Sequence, residues 1–257
     1  MTGSDLDAVI LAAGRGMRMG PLGKLTPKGL FSIGGERLVE RSVRLLKERG
    51  IKRVRIVTGH LGDQYEALFG QVAGVELIHN PEYAQAGSLR SMMVGLEGLN
   101  GPVALLESDL IYERRALASL GPDQTLIMVS GETKATDEVY VWAQDQGGAH
   151  QRFVEMSKDI TCRAEPHHGE LAGVTCFSAE SVAQLKTHAE AQFAASPASD
   201  YELAVVNFAQ ETPLACHKID DLAWAEMDDE TMYARARDVV WPRIQANDAH
   251  FSEPPRL

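Results

Sequence analysis

Along the first half of the chain, short apolar runs alternate with segments whose apolar residues recur at helical spacing. Residues 7–12 are apolar almost throughout after Asp7, the pattern of a central strand covered on both faces. A glycine-rich stretch runs from there to about residue 35. Over 36–49, Val39, Val43 and Leu46 recur at i, i+4 and i+7 and Gly50 supplies a terminator, which predicts a helix. A second strand is predicted at 53–58, followed by a helix near 62–69, a strand at 75–79, a helix over 88–98 and a strand at 102–107. Such alternation builds a mostly parallel sheet flanked by helices.

Past residue 125 the alternation loosens. Strands are expected at 125–129, 138–143, 153–156 and 172–177, with hairpins at Gly147-Gly148 and at 166–169. Ser178 is placed to cap a helix reaching about residue 194, and 191–199 reads as a small-residue linker. Residues 247–257 contain two adjacent prolines and few anchors, so a mobile tail is expected outside a domain of 1–246. No internal repeat is visible.

Composition narrows the function classes. With 257 residues the chain can form one large α/β domain or two small ones. A net charge of -11 lacks the basic excess of a nucleic-acid surface, so no nucleic-acid partner is expected. No apolar run approaches the roughly 18 residues needed to span a bilayer, so no membrane partner is expected. Asp5 and Asp7 stand where a secretory signal would carry basic residues, and a cytoplasmic location is expected. Cys162, Cys176 and Cys216 are odd in number and far apart, which fits neither a disulfide framework nor a zinc knuckle.

The chemistry concentrates in Leu11-Ala12-Ala13-Gly14-Arg15-Gly16-Met17-Arg18-Met19-Gly20-Pro21, continuing to Thr26-Pro27-Lys28-Gly29-Leu30. Glycines directly after a first strand let backbone amides approach a phosphate, and Arg18 and Lys28 add mobile cations. The third position of a G-x-G-x-x-G fingerprint is Met19, and no G-K-[ST] follows, so Rossmann and Walker sites are excluded.

This segment resembles the L-A-A-G-x-G-x-R-[ML]-x-P-L…P-K-x-L signature of sugar-phosphate and choline-phosphate nucleotidyltransferases. Leu11, Ala12, Ala13, Gly14, Gly16, Arg18, Met19, Pro21, Leu22, Pro27, Lys28 and Leu30 all match it. Gly23 departs from it, the family usually having Thr there. The resemblance implies an α/β fold: one Rossmann-like nucleotidyltransferase domain, a mixed, mostly parallel sheet flanked by helices, and a C-terminal β-hairpin insertion that binds the acceptor. It implies that Leu11, Ala12, Ala13, Gly14, Arg15 and Gly16 bind the nucleotide while Lys28 and Arg18 neutralise charge at the reacting phosphorus. It further implies two Mg²⁺ acids, Asp109 in Leu106-Glu107-Ser108-Asp109 and Asp228, with Asp229 and Glu226 as competitors for the second place.

Asn80-Pro81-Glu82-Tyr83 followed by Gly87-Ser88-Leu89 is similar to the choline-phosphate and phosphonate cytidylyltransferases, which puts Gly87 and Ser88 at the nucleobase; Ser88 alternatively caps a helix. The runs Asp137 to Trp142, Met156-Ser157-Lys158, Gly169 to Val174 and Trp224 to Asp228 extend the resemblance over most of 7–240. They imply Lys158 on the acceptor's phosphonate and Glu170 facing an ammonium. Tyr140, Trp142 and Trp224 invite a cation–π box, although alternation with Val139 and Val141 favours core packing. The implied reaction moves CMP from CTP to a small phosphonate or phosphate acceptor, 2-aminoethylphosphonate first. Phosphocholine, 2-hydroxyethylphosphonate and sugar 1-phosphates are alternatives, and an inactive nucleotide-binding regulator is a rival of another class. A homodimer is left open.

Overall fold

The protein is described from a computed structural model covering residues 5–133, 138–252, 254 and 257. In chain order its elements begin β1 (Asp7–Ala12), α1 (Gly20–Leu25), β2 (Ser32–Ile33), β3 (Glu36–Arg37), α2 (Leu38–Glu48), β4 (Val54–Thr58) and α3 (Gly62–Phe69). Then come β5 (Val75–His79), α4 (Ser88–Leu96), β6 (Val103–Glu107), β7 (Leu110–Tyr112), β8 (Leu126–Ser130), β9 (Tyr140–Gln144) and β10 (Gln151–Ser157). The chain finishes with β11 (Gly169–Phe177), α5 (Ala179–Ala195), α6 (Tyr201–Glu211), β12 (Ala215–Ile219), β13 (Trp224–Glu226), α7 (Glu230–Arg235) and α8 (Trp241–His250).

Nine strands form one mixed sheet in the order β5-β4-β1-β6-β11-β8-β12-β10-β9. The β5-β4-β1-β6 half is parallel, while β11 runs antiparallel to both of its neighbours. Side chains alternate across β1, and both faces are covered. Ala8 and Ile10 pack with Val43 and Leu46 of α2 and with Tyr65 and Phe69 of α3. On the opposite face Val9 and Leu11 belong to one apolar cluster with Leu89 and Met92 of α4, Leu185 of α5 and Phe208 of α6. The expected α/β class, a mixed sheet with flanking helices, is the observed one, but the sheet is not mostly parallel: four of the eight neighbouring pairs in this order are parallel and four antiparallel.

Three further expectations change. A hairpin does form around Gly147-Gly148, joining β9 to β10, but the 166–169 connection is no hairpin. From it β11 crosses to lie between β6 and β8, because its uniformly buried residues need cover on both faces. The tail boundary at 247 also moves: α8 continues to His250, Asp248 accepts from Arg41 and from the Arg114 amide, and Asn247 donates to Glu113. Residues 253, 255 and 256 of that stretch, and Asp137 at the head of its motif, lie outside the described residues. Finally, α6 follows the small-residue linker directly, with Ala204, Val205 and Phe208 on its buried face.

Candidate active site

The C-terminal ends of β1 and β6 open into a cleft of about 460 Å³, the usual ligand position above a parallel sheet. The loop after β1 forms one wall. Its Gly16 turns with φ 57°, and Gly23 of α1 fits beneath it: an ideal Cβ on Gly23 would lie 2.4 Å from the Gly16 carbonyl oxygen. The departure from Thr at this position therefore lets α1 close against the loop.

Two distant acids meet here because β7 and β13 pair antiparallel, with Leu110 opposite Glu226, and the Met227 amide donates to the Asp109 carbonyl at 3.0 Å. This ribbon sets the Asp109 and Asp228 carboxylates around one cation. Lys28 Nζ donates to Asp109 and, at 2.6 Å, to Asp228 Oδ1, while Arg18 donates to the other oxygen of Asp228. Burial opposes the Lys28 charge, but the two carboxylates outweigh it and hold the ammonium above the usual lysine range. Burial likewise opposes the charge on Asp228, and Lys28 and Arg18 nonetheless keep its carboxyl below the usual range. A smaller hollow of about 190 Å³ lies behind, lined by Gly14, Gly16, Met17, Arg18, Lys28 and Asp228.

Beyond this cationic junction the wall is acidic. Glu107, Asp109 and Glu226 bring carboxylate oxygens within 4.8 Å of one another. Burial, with Glu202 close by, pushes the Glu107 carboxyl up to about 8, and burial with Asp109 and Glu107 pushes Glu226 up to about 10. Tyr201 donates its hydroxyl to Glu107 at 2.5 Å. Lys158, just past β10, lines the same cleft.

Of the residues singled out from sequence, Leu11, Ala12, Ala13, Gly14, Arg15, Arg18, Lys28, Gly87, Ser88, Asp109, Lys158 and Asp228 all line the cleft, and Gly16 lines the smaller hollow. Glu170 does not. It is buried in β11, and its carboxylate accepts from the Thr133 amide at 2.9 Å, which makes it a brace for the backbone after β8. Ser88 lines the cleft but does not cap its helix. It is the first residue of α4, yet its hydroxyl donates to Asp200 and accepts from the Tyr201 amide, stapling the start of α6 to the start of α4. Trp142 and Trp224 are core residues, with Trp142 Nε1 donating to the Glu165 carbonyl, and neither lines the cleft.

Sequence reading passed over Glu107, Asp200, Tyr201 and Glu202, all of which line the cleft. An available signal was Asp200 at a helix cap position followed by helical spacing of apolar residues, obscured by the small-residue run before it.

Residues 8–120 match the family of MobA-like NTP transferase domains. The chain is 25% identical over 225 residues to a 2-aminoethylphosphonate cytidylyltransferase of Lancefieldella rimae, covering 86% of this chain and 88% of that protein. It is 28% identical over 231 residues to a CMP-5'-(3-aminopropyl)phosphonate synthase of Streptomyces rubellomurinus, covering 86% of this chain and 37% of that longer protein. The fold superimposes on the CTP:phosphocholine cytidylyltransferase of Streptococcus pneumoniae with a TM-score of 0.76 at 20% identity, over 92% of this chain and 99% of that one. With its glycine loop and its paired acids, the chain is similar to nucleotidyltransferases, and its residues 8–120 match a MobA-like NTP transferase domain.

Proposed function

We propose that the protein transfers CMP from CTP to a small aminophosphonate, with 2-aminoethylphosphonate as the preferred acceptor. The observation that carries this reading is the cleft's division into a cationic junction at Arg18 and Lys28 and an acidic wall of Glu107, Glu202 and Glu226, with Lys158 between. An acceptor with an anionic and a cationic end matches that division, its ammonium drawing the raised Glu107, Glu202 and Glu226 carboxyls into their charged form. Neither Trp142 nor Trp224 lines the cleft, which favours a primary ammonium over a trimethylammonium. Two relatives named for aminophosphonate substrates support the same choice.

Only carboxylate oxygens converge beside Lys28, a donor set that suits Mg²⁺, and Asp109 and Asp228 would hold it, with Glu226 as a competitor for the second place. When bound, Mg²⁺ offsets negative charge on the α-phosphate. The protein's own groups position and neutralise. The glycine loop and Arg18 face the hollow suited to the leaving pyrophosphate, and Lys28 stands where charge builds on the five-coordinate phosphorus. The attacking phosphonate oxygen is already largely anionic near neutral pH, so no general base is needed.

Pyrophosphate release from CTP, compared across 2-aminoethylphosphonate, phosphocholine, 2-hydroxyethylphosphonate and glucose 1-phosphate, tests this. The highest kcat/KM is expected for 2-aminoethylphosphonate. Equal use of the hydroxy analogue, or a preference for glucose 1-phosphate, overturns the acceptor assignment.

A further inference from the structure

The third part of the cleft is neither cationic nor acidic. Ala13, Tyr83, Ala84, Ala86, Gly87 and Ser91 form a small, largely uncharged recess between the loop after β1 and the start of α4. This small-residue lining with one tyrosine suits an uncharged heterocycle. Access is set by backbone: a Cβ on Gly87 would lie 2.1 Å from the Ser199 carbonyl oxygen, so α4 begins pressed against the 197–199 segment.

Within this recess one hydroxyl has its hydrogen-bonding direction dictated from behind. Asn80, fully buried, receives the Glu82 amide on its Oδ1 at 2.9 Å. A backbone amide can only donate, so that atom is the oxygen and the other is the nitrogen. Asn80 Nδ2 therefore donates to Ser91 Oγ at 3.1 Å. Ser91 accepts from Asn80, and no described residue accepts the Ser91 proton. A buried hydroxyl left with a proton to place, in the wall of a cleft, is a donor for whatever occupies that cleft. Ser88, the other serine here, has both its proton and a lone pair engaged by Asp200 and Tyr201.

We propose that Asn80 and Ser91 select the base: Asn80 keeps the Ser91 proton free, and Ser91 donates it to the N3 acceptor of cytosine. Uracil presents an N3–H at that position; to accept it on its second lone pair, Ser91 must turn its proton away from the base, where no described residue accepts it, so uracil is disfavoured. The base oxygen O2 is common to both pyrimidines and cannot discriminate. Asn80 touches no nucleotide and acts as a positioning residue. The inference rests on the nucleotide placement proposed above.

The test is titration calorimetry of CTP and of UTP with Mg²⁺ and no acceptor, which keeps it independent of acceptor identity. Wild-type protein is expected to prefer CTP. Ser91→Ala should lose about tenfold in CTP affinity, the scale of one neutral hydrogen bond, with UTP nearly unchanged. Asn80→Asp, titrated at about pH 8, replaces the amide donor by an acceptor that draws the Ser91 proton toward itself, leaving only lone pairs for the base. The CTP-to-UTP ratio should then fall further than in Ser91→Ala, with UTP binding improved. A wild type that does not bind CTP refutes the functional reading itself. CTP binding with a ratio unmoved in Ser91→Ala overturns the inference. A ratio moved in Ser91→Ala but not in folded Asn80→Asp overturns the role of Asn80. Should Asn80→Asp fail to fold, Ser91→Ala still decides the base contact.

Discussion

Lys28 shows how a single side chain acquires a role that its identity alone does not confer. Its ammonium donates to carboxylates 81 and 200 residues away in the chain, and Arg18 reinforces the second of them. Asp109→Ala and Asp228→Ala are each expected to abolish turnover with the fold retained, because each leaves the apolar clusters intact, although the loss of one partner of buried Lys28 lowers the thermal midpoint. A near-normal Mg²⁺-dependent rate in Asp228→Ala moves the second place to Glu226. Lys28→Ala should lower kcat at least about 100-fold, the scale for one preorganised charge; a change confined to KM for CTP would make it a ground-state contact. Because Glu170 is engaged by the Thr133 amide and does not line the cleft, the proposed ammonium contact falls on the acidic wall. Glu202→Gln is expected to raise KM for 2-aminoethylphosphonate more than for 2-hydroxyethylphosphonate, since only the former loses an ion pair, and parallel losses count against that role. Lys158→Ala should raise the acceptor KM while CTP affinity, titrated without acceptor, holds.

At the scale of elements, the cleft depends on two junctions that connect sequence-distant segments. One is the β7–β13 ribbon, which carries Asp109 and Asp228 to the same place. The other is the seam between α4 and α6, where Gly87 donates its amide to the Pro197 carbonyl and Ser88 bridges to Asp200 and Tyr201. Gly87→Ala places a methyl against the Ser199 carbonyl, so a loss of about 1–3 kcal/mol is expected from urea unfolding, the range for overpacking. The seam also orders Tyr201 and Glu202, so the acceptor KM should rise in the same variant. An unchanged unfolding midpoint shows that the segment yields easily. The elements of the first half were legible because both faces of β1 and β4 are covered and their runs are continuously apolar. α6 was not, since the small residues before it read as a linker, and β7 and β13, at three residues each, are too short to show a period.

Across the whole molecule, buried carboxyls give stability an unusual pH dependence. Burial, with Glu170 adjacent, pushes Glu138 up to about 7, and burial raises Glu202 to about 7 as well. Unfolded glutamates titrate near about 4.3, so between there and about 7 the folded chain binds more protons than the unfolded one. Stability is then full at the acidic end of that window and is lost as pH rises through it. In a chelator, the thermal midpoint should be higher at about pH 5.5 than at about pH 8, and Glu138→Gln should shrink the difference. A midpoint that climbs toward pH 8 contradicts the sign. The sequence by itself determined the alternating α/β architecture and the glycine loop with Arg18 and Lys28, because these are carried by local periodicity and by one contiguous motif; Asp109 and Asp228 stood out only through separate short runs far along the chain. Only the tertiary structure decided that Glu170 braces backbone, that Ser88 is engaged within the protein, that Trp142 and Trp224 are core, and that Glu107, Tyr201 and Glu202 complete the cleft. The reason is that such roles depend on which way a side chain faces once strands far apart in sequence have paired, and spacing along a chain does not contain that direction.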